Sequence, residues 1–140
     1  MYKVIIDTNV VVSALIQKSY PYYIVFDHVL QGKVQLCLSE ALLNEYRDVL
    51  SRPKFAGINN FEQNAKIVLN RFAKTALFYN PNIHLDILKD KSDNKLLELA
   101  VQSHANFLIT GNSLDFTIKQ YKNTQIISPR SFWEMIINSF

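Results

Sequence analysis

Cysteine is almost absent: Cys37 stands alone among 140 residues, so no internal disulfide can form. It lies in the mostly apolar run Val34-Gln35-Leu36-Cys37-Leu38 and reads as a buried core thiol. No apolar run approaches the ~20 residues of a bilayer span, which excludes a membrane helix as the organising element. An acid stands at position 7, where a signal peptide would continue its apolar region, so export is not expected and a cytoplasmic protein is. Internal repeats and low-complexity segments are missing. Neither charge sign dominates: 15 Lys and Arg against 12 Asp and Glu leave +3, with a pI of about 9.0. That balance permits a polyanion as partner without requiring one. The basic residues fall in small groups, Arg52/Lys54, Lys66/Arg71/Lys74, Lys89/Lys91/Lys95 and Lys119/Lys122. Those near an acidic site can guide a phosphate backbone towards it, while the rest read as solvated faces.

What is present is the composition of one compact domain over residues 1–140, 49% apolar and 19% charged. It starts with Val4-Ile5-Ile6, too short for a helix and continuously apolar, as a strand buried on both faces of a parallel sheet is. Asp7 follows, then Thr8 and Asn9, then an apolar stretch over residues 10–16 that is long enough for a helix. A carboxylate at the carboxyl end of a central parallel strand is where open α/β sheets bind their ligands. The simpler alternative is that Asp7 or Thr8 caps the helix.

Pro21 opens a segment with a helical stripe at Tyr23, Val25, Phe26, Val29 and Leu30, closed by Gly32. A second strand over 34–38 leads to Ser39, a candidate cap for a helix faced by Leu42, Leu43, Tyr46, Val49 and Leu50. On that helix Asp48 points away from the stripe, and Glu45 stands at its edge, able to point along a cleft. Residues 53–60 connect to an amphipathic helix over 61–76. A short strand at 77–79 and an irregular polar stretch over 83–92 follow.

The next helix, read from Asp93, has Leu96, Leu97, Ala100, Val101 and His104 on its inward face. Projected backwards, Asp93 falls on that face and Glu98 falls opposite, towards solvent. A buried acid needs a partner, because an unpaired buried charge costs several kcal/mol. A metal ion supplies one; Asp93 can also cap its own helix, and both roles can hold together. Phe107-Leu108-Ile109 repeats the strand-then-polar-turn arrangement, running into Thr110-Gly111-Asn112-Ser113-Leu114-Asp115. Gln125-Ile126-Ile127 reads as the last strand. Ser128-Pro129 starts a final helix packed through Phe132, Trp133, Ile136 and Ile137.

Strands alternate with helices throughout, so the expected fold is α/β with a mainly parallel central sheet. Asp7, Glu45, Asp93 and Asp115 stand at strand ends or on inward helix faces. Gathered at one sheet edge they repel one another unless protonated or neutralised by cations. An all-oxygen cluster without cysteine or paired histidine suits Mg²⁺ or Mn²⁺ over Zn²⁺.

In Asp7-Thr8-Asn9-Val10-Val11-Val12-Ser13-Ala14-Leu15, Ser39-Glu40-Ala41-Leu42-Leu43-Asn44-Glu45, Asp90-Lys91-Ser92-Asp93-Asn94-Lys95-Leu96-Leu97-Glu98-Leu99-Ala100, Leu108-Ile109-Thr110-Gly111-Asn112 and Ser128-Pro129-Arg130-Ser131-Phe132, the chain resembles the PIN-domain family, which includes many toxins of toxin–antitoxin systems. The resemblance implies a three-layer α/β/α sandwich and Mg²⁺- or Mn²⁺-dependent cleavage of single-stranded RNA. It makes Asp7, Glu45 and Asp93 the catalytic metal ligands, with Thr8, Asn9, Ser39 and Thr110 in support. Its partners are an RNA substrate, a cognate antitoxin and a second copy in a homodimer. The family often writes Thr-Gly-Asp where this chain has Thr110-Gly111-Asn112, which removes one charge from the fourth ligand position; Asp115 lies three residues on and can compensate. Two alternatives stand beside the nuclease. One is a catalytically weak PIN domain that binds RNA or protein. The other is a haloacid-dehalogenase-like phosphatase, which wants a second Asp where Asn9 stands.

Overall fold

The computed structural model describes residues 1–111 and 118–138. Its core is a six-stranded sheet in the order β3-β2-β1-β4-β6-β5, parallel except for β5. The strands are β1 (Lys3–Ile6), β2 (Gln35–Leu38), β3 (Leu77–Phe78), β4 (Phe107–Ile109), β5 (Gln120–Tyr121) and β6 (Thr124–Ile127). The helices are α1 (Thr8–Ile16), α2 (Tyr20–Tyr22), α3 (Glu40–Leu50), α4 (Phe61–Thr75), α5 (Lys91–Ser103) and α6 (Pro129–Ile136). They flank the sheet in a three-layer α/β/α sandwich. The continuous apolar runs form the central strands because both their faces are covered: Val4, Ile5, Ile6, Leu108 and Ile109 are fully buried, and Cys37 is buried among them.

The crossover that positions the site lies at β1. From β1 the chain steps to β2 on one side and later returns to β4 on the other, so the carboxyl ends of β1 and β4 diverge into a crevice. Asp7 N–H donates to the Ile109 carbonyl at 2.9 Å and Thr110 N–H to the Ile127 carbonyl at 3.0 Å, carrying the ladder one residue past each strand.

Several local expectations are corrected. The segment after Pro21 is only briefly α-helical and continues as a π-helix over Tyr23–Val29. Its i→i+5 bonding puts residues four and five apart on one face, so Val25 and Val29 of the expected stripe are buried but Ile24 and His28 join them, while Tyr23, Phe26 and Leu30 are only half-buried. Helix α5 begins at Lys91 with Asp90 as its cap, the Asp90 carboxylate accepting from Ser92 N–H at 2.8 Å, so Asp93 is not the cap but a first-turn residue. Glu98 does not face solvent. The coil over residues 80–90 covers that side of α5, and the Glu98 carboxylate accepts the Leu85 N–H at 2.9 Å with its side chain only 13% exposed. His104 was expected inward but is exposed, because it ends α5 in the left-handed region at φ +55°. Leu99 and Ser103 take buried places on that helix, and Val101 is only half-buried. On α6, Phe132 and Ile136 are buried, whereas Ile137 is exposed. Ser39 and Ser128 cap α3 and α6 as expected, accepting from Leu42 and Ser131 N–H at 3.1 Å each.

Candidate active site

The crevice is built by β1, α1, α3 and α5. Asp7 occupies the cap position of α1 but makes no side-chain cap bond to the helix. Its carboxylate accepts the Thr110 hydroxyl at 2.8 Å, joining the ends of β1 and β4. Thr8, buried at the first position of α1, donates its hydroxyl to the Glu45 carboxylate from α3. Asp7, Glu45 and Asp93 then line one continuous cleft with two lobes. The smaller, about 110 Å³, adds Ser39 and Lys95 to its wall. The larger, about 270 Å³, adds Thr8, Asn9, Arg52, Lys54 and Asp90. Asn9 is exposed at its mouth. The structure therefore brings together Asp7, Thr8, Asn9, Ser39, Glu45, Asp93 and Thr110. Asn112 and Asp115 lie outside the described residues.

Burial raises the Asp7 carboxyl above the ordinary carboxylate range. The Thr110 hydroxyl and the Thr8 amide pull it back, and the Glu45 and Asp90 carboxylates push it further up. A desolvated carboxylate beside two others is a group held at a free-energy cost unless a cation or a proton answers it.

Two contributors escaped the sequence reading. Tyr46 was taken as part of the apolar stripe of α3. It is fully buried, and its hydroxyl donates to the Ile6 carbonyl, the last strand group before Asp7. Burial first, then the Asp7 and Glu45 carboxylates, holds that phenol neutral, far above its ordinary pKa. A tyrosine directly after a candidate ligand in an otherwise aliphatic stripe was the available signal. Asp90 stood in a polar stretch and in the resembling segment but was given no role; it lines the larger lobe as well as capping α5.

The donor set is open. Among the described residues no three Asp, Glu, His or Cys side chains stand close enough to cage a metal ion. Carboxylate oxygens spread along a cleft fit a hard cation that keeps several of its own waters, as Mg²⁺ does, and not a thiolate- or imidazole-seeking one.

A parallel α/β sheet with carboxylates at its switch point defines a domain of the acidic-cleft class. This chain belongs to the PIN-domain family: the PIN-domain profile matches residues 3–114, most of its length. It is also 31% identical over 110 residues to an uncharacterized protein of Methanocaldococcus jannaschii, spanning 79% of this chain and 70% of that one. PIN domains are generally nucleases, and the family match sets aside the haloacid-dehalogenase-like alternative. No helix among the described residues is long and apolar enough to cross a membrane.

Proposed function

We propose that the protein is a metal-dependent endoribonuclease that hydrolyses RNA phosphodiester bonds, serving as the toxin of a toxin–antitoxin pair. The observation that carries this reading is the convergence of Asp7, Glu45 and Asp93 on one cleft at the sheet's switch point, with Asp7 largely withdrawn from water. Asp7, Glu45 and Asp93 would hold Mg²⁺ or Mn²⁺, which supplies activation of the attacking water and charge stabilisation at the leaving oxygen. Thr110 fixes one Asp7 oxygen and Thr8 one Glu45 oxygen, so each carboxylate is held in a defined orientation in the cleft wall. Arg52 and Lys54 supply positive charge at the cleft wall for a phosphate backbone.

The test is cleavage of RNA in Mg²⁺ or Mn²⁺ and its abolition by EDTA. Hydrolysis by water leaves a 5′-phosphate and a 3′-hydroxyl. Ends bearing a 2′,3′-cyclic phosphate, or undiminished cleavage in EDTA, refute the reading. The toxin role predicts growth arrest on expression, relieved by a small protein encoded beside the gene. A homodimer and cytoplasmic action belong to the same proposal.

A second reading is a catalytically weak PIN domain that binds RNA or a protein, favoured by Asn112 standing where the family often has Asp. RNA binding with no cleavage at any Mg²⁺ or Mn²⁺ concentration would favour it.

A further inference from the structure

The acid-lined cleft is the middle of a longer groove. Its larger lobe meets a hollow of about 280 Å³, with Arg52 and Phe55 on the wall of both. Its smaller lobe meets another of about 520 Å³, with Ser39, Ala41 and Lys95 shared. The two arms differ in chemistry. The first carries Arg47, Arg52 and Lys66 against the single acid Glu62, and Lys54 stands where it joins the acids. Among the described residues Arg52 pairs with exposed Asp48, at 3.5 Å, and can turn to another anion. The second arm sets Lys95 against Glu40 and Glu98 and does not favour phosphate, but it presents aromatic surface on the edge strand β3. Tyr79 there already has the Lys3 ammonium 5.2 Å from its ring centre. Phe78, 40% exposed, is the open ring.

We infer that single-stranded RNA lies along this groove, with Arg52 and Lys54 gripping phosphates on one side of the acids and a base stacking on Phe78 on the other. The inference rests on the RNA-cleaving reading and deepens it. Coulomb attraction favours the backbone in the basic arm. In the other arm stacking is the available attraction, because a base offers an uncharged face that neighbouring glutamates do not repel. Both holds act on a strand that passes the carboxylates, which is the placement hydrolysis needs.

The experiment uses the full chain and a ten-nucleotide RNA carrying one 2-aminopurine, moved through the strand. Fluorescence and affinity are read on intact RNA without divalent metal, with cleavage in Mg²⁺ followed on a gel alongside. The parent should quench the fluorophore at one position. Phe78→Ala should lose that quench and bind about tenfold more weakly, with the slope of log affinity against log salt unchanged. Phe78→Trp should retain both. Arg52→Ala combined with Lys54→Ala should keep the quench at saturation and flatten the salt slope by roughly one to two. A parent that binds no RNA overturns the inference, as does a quench that survives Phe78→Ala. So does a Phe78→Ala protein whose self-association changes while its RNA binding does not, since β3 would then seat a second copy. Cleavage without Phe78-dependent quenching overturns the groove and leaves the nuclease reading standing. Quenching without cleavage does the reverse.

Discussion

Asn94→Ala should unclamp the strap that holds α5 in place. Asn94 is buried, and its Oδ1 accepts from Ile87 N–H at 3.1 Å and Leu88 N–H at 2.8 Å, while its Nδ2 donates to the Leu88 carbonyl at 2.8 Å. These bonds tie the coil over 80–90 to the first turn of the helix that carries Asp93. Three bonds at about 1 kcal/mol net each give roughly 3 kcal/mol. The Ile87 share falls away, because Ile87 is exposed and its N–H can turn to water, but the two buried Leu88 groups are left unsatisfied at about 1–3 kcal/mol each, so a loss of roughly 3 kcal/mol stands. For a domain of this size that is a fall in melting temperature of roughly 5–10 °C. The assay is urea denaturation paired with amide hydrogen exchange. The Leu88 amide should pass from protected to fast exchange even where the rest of the core keeps its protection, since the strap can open by itself. Asn94→Asp keeps the two acceptor bonds but sets a buried carboxylate against the Leu88 carbonyl, so its loss should be at least as large as that of alanine. A loss below about 0.5 kcal/mol, the size of an ordinary surface change, with Leu88 still protected, would refute the clamp.

Three further outcomes are expected. Asp7→Asn should lower cleavage by roughly a hundredfold or more and still melt higher than the parent at neutral pH. The folded state raises this carboxyl's pKa, so its ionised form is disfavoured by folding, and the destabilisation grows as pH rises from the unfolded value through the folded one. A melt of Asp7→Asn below the parent at pH 7 contradicts this. Thr110→Val removes a hydrogen bond that lowers the Asp7 pKa, so the acid limb of the cleavage–pH profile should move to higher pH; an unmoved limb removes Thr110 from the site. His28, buried edge-on against Trp133 at 4.9 Å, has its pKa lowered chiefly by burial. Stability contributed by its neutral form is complete above the unfolded pKa and falls as pH drops towards the folded one. His28→Gln should therefore flatten the decline in melting temperature between pH 7 and 5, and an unchanged slope assigns that decline elsewhere.

Much of the layout was readable because the central strands are covered on both faces and so spell themselves as continuous apolar runs, as at Val4-Ile5-Ile6 and Phe107-Leu108-Ile109. Asp7 at the end of the first run, and Glu45 at the edge of an aliphatic stripe, stood out in the same way, and the structure puts both with Asp93 on one cleft. Strand β5 was missed because its two residues, Gln120 and Tyr121, carry no pattern; their pairing with Gln125 and Thr124 comes from a tight hairpin with Lys122 at φ +51°. Glu98 and Asn94 were missed for a different reason. Helical projection compares a residue with its own helix, and both side chains are buried by a coil that has no periodicity to announce that it folds back. The cap of α5 was misplaced by the same polar run, where Asp90 and Asp93 compete on equal terms until the backbone is known.

The bond between Asp7 and Thr110 spans 103 positions, as does the one from Lys3 N–H to the Asn106 side chain, and the Lys3 ammonium reaches the Ser103 carbonyl across 100. During synthesis the first strand thus waits for β4 before its own carboxylate can be oriented, and loop closure over that distance has to precede the contacts that reward it. A growing chain with Asp7, Thr8 and Glu45 already made has no assembled cleft until about four-fifths of its length is available to fold. Whatever chemistry the finished cleft carries out, the order of the strands withholds it from an unfinished chain.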